Sequence, residues 1–458
     1  MKALKKKGDE MNYKSFRFRL KDLLVCALIH ISLITILTGC ATNKPYELNL
    51  MPAPDIFDNG AWQPFSDTSP IKDDGTIEIL YATDREPAIE ESKEKFYQNE
   101  RGYLLRLGKG EVKLGKGDYT WEEMKHISLL KNRTENLPLQ VTGVKEYGIL
   151  NTTISEFDSP KVQAQKSTEP AEYYASIINA KLANSKNKDI YVYFHGYKVN
   201  FENPLIVASE LWHYLGYEGV IIAYAWPSTP SLWAYASDAE TAADSARNLR
   251  LFLQFLSKKT TAREIHIVGY SMGTRLVTKA IYSLALIHNG QDKQTVQKQL
   301  RIGHVILVGS DVDWGFFANM LLDGALNVSR SMSIYMSEGD QALGVSKFLL
   351  SRERLGQLEK DEKIEKHLAE LLFKIEDLNF IDVSDAEGSM TGNGHAYFRK
   401  SPWASSDILV TLAYDLKPME RGLTRTKEKP IWTFPSDYIE RLKSILAENN
   451  PVLSPLKK

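Results

Sequence analysis

The chain has 458 residues, enough for one large domain with insertions or for two ordinary ones. Apolar residues make up 43% and charged residues 25%, which implies a packed core and excludes a disordered or fibrous chain. The formal charge of -1 excludes the broad basic surface of a general nucleic-acid binder, and the two cysteines, Cys26 and Cys40, supply neither a disulfide framework nor a Cys/His zinc cluster. No metal or cofactor is expected.

Residues 1 to 22 carry eight Lys or Arg and three acids, and Leu23 to Leu37 follow as a nearly unbroken apolar run of fifteen residues. A basic stretch, a short apolar run and small residues at its end form a secretory signal. The run is too short for a comfortable membrane span. It closes on Leu37-Thr38-Gly39-Cys40-Ala41, which resembles a bacterial lipobox. The resemblance implies a signal peptide over 1–39 and a lipid on the Cys40 sulfur, which would hold the mature chain to a membrane without spanning it. By the same resemblance, Ala41 in place of Asp points to the outer membrane of a Gram-negative cell. A transmembrane anchor is the alternative, and Met11 is an alternative start.

Residues 40–70, rich in Pro, Asn and Asp, read as a tether. Thr76 to Thr83 reads as a first strand, followed by Asp84-Arg85. Tyr103 to Leu107 and Glu111 to Leu114, around Gly108 and Gly110, read as a hairpin. Residues 118–168 are polar and irregular and read as an insertion. After Asp189 strand and helix alternate. The strands are Ile190 to Phe194, Gly219 to Trp226, Glu264 to Gly269, His304 to Val308, Met332 to Met336 and a last one, Leu378 to Val383. The helices are 202–215, Ala234 to Ser257, Thr274 to Ile287 and a charged helix over 353–374. The alternation predicts an α/β fold, with a mostly parallel sheet of about eight strands and helices on both faces. The body spans 71–415, with an extension over 416–458. Right-handed crossovers gather the strand ends on one edge, where ligands bind.

Gly269-Tyr270-Ser271-Met272-Gly273 matches GxSxG, with a strand directly before it and a helix directly after. That is the context of a nucleophile elbow, which lifts the Ser271 hydroxyl above the sheet at a helix N-terminus. A serine needs a base, and in this fold the chain order is serine, acid, histidine. Four histidines follow Ser271. His288 lies at the far end of the next helix, His304 at the start of a strand and His367 inside the charged helix. His395 remains, in a loop after the last strand. Asp340 is the preferred acid, because it follows the penultimate strand; Asp311 and Asp313 come next, then Glu338. The oxyanion hole needs two backbone N–H groups. Met272 supplies one by position, and Tyr197, with Gly196 as an alternative, supplies the other. His195 precedes the serine and is read as a brace for that loop.

These residues resemble a group of bacterial α/β-hydrolases catalogued as a domain of unknown function. The likeness rests on Leu80 to Arg85, Phe194 to Tyr197, Ala225 to Ser228, the helix start from Tyr235 to Asp244, Gly269 to Gly273, Ser337 to Leu343, and Gly394 to Tyr397. It implies the triad Ser271, Asp340 and His395 and brings no substrate.

The leading expectation is a serine hydrolase acting through an acyl-enzyme. Its substrates would be small-molecule or lipid esters, given the tether, with Trp226, Trp233 and Tyr235 as candidate walls of an acyl pocket. The alternative is a catalytically inactive binding lipoprotein, which predicts a lost serine, histidine or elbow glycine. All three are present.

Overall fold

The computed structural model describes residues 46–58, 63–65, 71, 74–350, 353–357 and 366–449. The expected signal peptide and Cys40 lie outside the described residues.

Period-two alternation builds the sheet. Ile190, Val192 and Phe194 enter the core on one face, while Tyr191 and Tyr193 enter the core on the other. The early strands are β1 (Glu47–Asn49), β2 (Thr76–Pro87), β3 (Tyr97–Leu114), β4 (Pro138–Ile149), β5 (Ile190–Phe194) and β6 (Val220–Tyr224). The later ones are β7 (Ile265–Tyr270), β8 (Ile302–Val308), β9 (Ser329–Met336), β10 (Leu378–Asp382) and β11 (Ile431–Thr433). Among the described residues they form one sheet in the order β1-β4-β3-β2-β6-β5-β7-β8-β9-β10-β11. From β2 to β11 every neighbouring pair is parallel. β3, β4 and β1 extend one edge antiparallel.

Helices cover both faces, as a buried parallel sheet requires. Leu205 and Leu211 of the helix Glu202–Tyr214 and Ile408 and Leu409 of Pro402–Tyr414 pack on one face. Tyr174 and Ile178 of Glu169–Asn184, Leu249 and Phe252 of Tyr235–Lys259, and Leu276 and Ile281 of Gly273–Ile287 pack on the other. None of the helices among the described residues is long and apolar enough to cross a membrane.

Several elements depart from the sequence reading. The expected hairpin is one continuous strand, β3, because Gly108 and Gly110 serve packing and not a turn. A Cβ at Gly108 would fall 2.3 Å from the Tyr81 hydroxyl, and one at Gly110 would fall 2.3 Å from Leu205 Cδ2. The expected insertion holds the helix Trp121–Ser128, opened by a Thr120/Glu123 capping box, and β4 in the sheet. Within the expected tether, Leu50, Met51, Ile56 and Phe57 are core residues, and the Met51 N–H donates to Glu210 at 2.8 Å. The last strand is β11, which lies in the C-terminal extension. The extension is tied down by Arg421, which donates to both oxygens of buried Asp407 at 2.7 and 3.0 Å. The charged helix is described only over Lys366–Phe373. Residues 353–357 form a turn instead, with the Gln357 N–H donating to Arg354 O and the Leu355 and Gly356 N–H groups donating to Val312 and Ser310.

Candidate active site

β7 ends at Tyr270, and the chain reverses into the helix Gly273–Ile287 through Ser271, which takes φ 53. A residue with a side chain seldom adopts this left-handed backbone, and such strain is retained at functional sites. Here it is held from both sides. The Ser271 N–H donates to Val308 O at 2.9 Å, and its carbonyl accepts the Thr274 N–H at 3.0 Å and the Thr274 hydroxyl at 2.6 Å. Gly273 is needed for clearance, since a Cβ there would fall 2.3 Å from His195 O.

The Ser271 Oγ lies 2.8 Å from His395 Nε2, and His395 Nδ1 lies 2.7 Å from Asp340 Oδ2. Asp340 follows β9 and is buried. Its other oxygen accepts the Leu343 N–H at 3.0 Å, so it also caps the following helix Gln341–Leu350. The loop carrying His395 is docked onto the acid's turn, where the Gln341 N–H donates to Asn393 O at 3.1 Å. Gly394, with φ 66, permits this, because a Cβ there would stand 2.1 Å from Gly339 O. The His395 ring packs on Tyr270, with centroids 5.1 Å apart.

The other candidates have different partners. Asp311 is buried and accepts from Arg275 Nε at 2.9 Å, Tyr235 at 2.7 Å and Ser346. Asp313 caps the helix Trp314–Leu322 by accepting from Phe316 N–H. Glu338 is exposed, His288 is half-buried at the end of its helix, His304 bonds Ser331 at 2.7 Å, and His367 sits on the exposed face of its helix.

On the other side of Ser271, a Cβ at Gly196 would fall 2.9 Å from Ser271 Cβ, so the loop after β5 runs directly against the serine. Among the described residues, neither the Met272 nor the Tyr197 N–H donates a hydrogen bond. His195 holds the loop from behind. Burial lowers its pKa to about 3, so the ring is neutral with a single N–H, and its nitrogens lie 2.7 Å from Gly196 O and 3.1 Å from Trp226 O. Trp226 stacks on that ring at 5.0 Å and donates its indole N–H to His195 O at 2.7 Å. Wholly buried, Trp226 braces the loop and does not line a pocket, whereas Trp233 is 97% exposed.

Two contributors are absent from the sequence reading. Thr274 bonds Ser271 O and also accepts from Ser310 and from the Asp311 N–H, linking the elbow to the end of β8. The Tyr397 hydroxyl accepts from Gly309 N–H at 2.6 Å and donates to Tyr335 O at 2.7 Å, spanning β8 and β9 beneath His395. Its place two residues after His395 was the available signal.

Set on the carboxyl edge of a parallel sheet, this arrangement pairs a hydroxyl with an oriented imidazole and is suited to general-base-assisted nucleophilic attack. No curated protein matches the chain. The family described as alpha/beta hydrolase of unknown function matches residues 171–411, just over half of the chain, and the chain belongs to that family.

Proposed function

We propose that the protein is a serine hydrolase that cleaves ester-type substrates through an acyl-enzyme and is tethered to a membrane by a lipid on Cys40. The observation that carries this reading is the line from Asp340 through His395 to Ser271, with contacts of 2.7 and 2.8 Å. Asp340 keeps the imidazole proton on Nδ1, which leaves the Nε2 lone pair toward Ser271. As Oγ attacks the substrate carbonyl carbon, Nε2 takes the hydroxyl proton. The carbonyl oxygen becomes an oxyanion, met by the N–H groups of Met272 and Tyr197. One such donor is worth about 3–4 kcal/mol of barrier. The imidazolium then protonates the leaving alcohol, and an acyl group remains on Ser271. A water that gives its proton to Nε2 attacks the acyl carbon and releases the acid.

A panel of p-nitrophenyl esters of graded acyl length tests the chemistry. Turnover of at least one member, lost in Ser271→Ala, is expected, and a flat panel from the folded protein contradicts the reading. The tether is tested separately by incorporation of labelled palmitate in cells. Label in the wild type that is absent from Cys40→Ser is expected; equal label in both contradicts it.

A further inference from the structure

The edge of the sheet that carries Ser271 also carries a cavity of about 460 Å³, whose lining includes none of Ser271, Asp340 and His395. Register fixes its place. Ala82, Tyr224, Phe194 and Gly269 stand in one row across β2, β6, β5 and β7. Asp84, in the cavity wall, lies two residues further along β2, and Ser271 lies two residues after Gly269, just past the end of β7. The cavity therefore opens level with the serine, three strands away, or about 14 Å at ordinary strand spacing. Its volume is that of a small-ligand pocket.

Two aromatic rings stand at its rim. Phe157 is 100% exposed and Tyr103 is 67% exposed. Tyr103 takes φ 56 in the middle of β3, a backbone conformation that residues with side chains avoid in strands. Asn248 holds it there by donating to Tyr103 O at 2.9 Å and to Asp84 Oδ2 at 3.3 Å. The loop bearing Phe157 is pinned by its own side chains, since the Ser155 N–H donates to Asp158 at 2.6 Å and the Phe157 N–H donates to Ser155 at 3.2 Å. Both rings are thus presented on an ordered frame.

Behind the rings the wall is polar and mixed in sign. Arg101 pairs with Asp244 in the cavity wall, and its guanidinium lies 5.8 Å from the Tyr103 ring centre. Asp84 is 3% exposed and Ser245 is 2% exposed, and the two lie beside each other behind the cavity surface. Interleaved carboxylates and guanidinium groups favour neither a polyanion nor a polycation. Flat apolar faces beside planar polar groups suit a ring that shows C–H bonds on its face and hydroxyls around its edge.

We propose that this cavity binds a neutral saccharide, stacked on Tyr103 and Phe157 and hydrogen-bonded through its hydroxyls to the Arg101–Asp244 pair. The site does not depend on chemistry at Ser271.

Calorimetric titration of the full chain with short neutral oligosaccharides (glucose and N-acetylglucosamine oligomers) tests it, with short mixed-charge peptides run beside them. At least one saccharide is expected to bind, equally well to wild type and to Ser271→Ala. Tyr103→Gly and Phe157→Ala should each weaken it about tenfold, the scale of one lost stacking contact. Tyr103→Gly removes the ring and relaxes the left-handed backbone, so its melting temperature should not fall. The proposal is overturned if no saccharide binds, if binding is unchanged in both aromatic variants, or if only the peptides bind.

Discussion

Replacing Asp340 by asparagine isolates the work of one carboxylate oxygen. Asp340 Oδ1 accepts the Leu343 N–H at 3.0 Å, and Oδ2 stands 2.7 Å from His395 Nδ1. Asparagine caps a helix as well as aspartate does, but it must place its carbonyl oxygen on Leu343 to do so. Its NH₂ group then faces His395 Nδ1, which is forced to accept. The ring proton moves to Nε2, toward Ser271 Oγ at 2.8 Å, and no lone pair remains to take the serine proton. The same exchange in a protease triad lowers kcat by about 10⁴ with the geometry intact, or ~5.4 kcal/mol of barrier. The assay is the second-order rate of inactivation by a fluorophosphonate, with a thermal melt on the same sample. The expected result is inactivation slowed by about three to four orders of magnitude in a protein that still melts cooperatively. If Asp340→Asn is inactivated within about tenfold of the wild-type rate, Asp340 does not orient His395 and the reasoning fails.

Three further outcomes follow from the packing and the buried charges. Gly273→Ala puts a methyl 2.3 Å from His195 O, so both the elbow and the loop after β5 must shift. Fluorophosphonate labelling should nearly vanish and stability should drop by about 1–3 kcal/mol in a urea melt; unchanged labelling would show that the two loops are not in contact. Arg421→Met leaves Asp407 buried against Tyr335 and Tyr438 without its cation and should cost about 3–5 kcal/mol, read from the same melt. A loss below about 1 kcal/mol would mean that the carboxylate reaches water. Burial holds His195 and His213 at about 3 and His304 at about 2, while in the unfolded chain they titrate near 6.5. Their folded pKa values are depressed, so the stability they contribute is present above about pH 7 and is lost as pH falls below 6.5, by about 1.4 kcal/mol per histidine per unit. Urea midpoints compared on either side of that pH check this, and a midpoint that holds or rises on acidification would count against it.

Local grammar made much of the fold readable. The strand before Ser271, the helix after it and the alternation from Ile190 onward all carry short-range periods, and the sheet follows them. Through-space causes were not readable. Glycine is the usual mark of a turn, so Gly108 and Gly110 read as a hairpin; their actual constraints, Tyr81 and Leu205, lie far off in sequence. β11 has three residues, too few to show a period. Residues 46–58 bury the pairs Leu50-Met51 and Ile56-Phe57 in a proline-broken segment too short to show a period. At the site, elimination isolates His395, because its three rivals sit in recognisable helix and strand positions. The acids stay ambiguous in sequence, since Asp311, Asp313 and Asp340 all follow strands. What separates them is partners from 235, 275 and 346 converging on Asp311, a cap on Asp313, and His395 beside Asp340.

The most direct measurement is the position of a covalent adduct. The full chain, treated with a fluorophosphonate and digested, is mapped by tandem mass spectrometry beside Ser271→Ala treated in the same way. Modification of wild type on the peptide containing Ser271, with none on the alanine variant, is the result this account predicts. Folded wild type that stays unmodified, or an adduct that persists in Ser271→Ala, would contradict it.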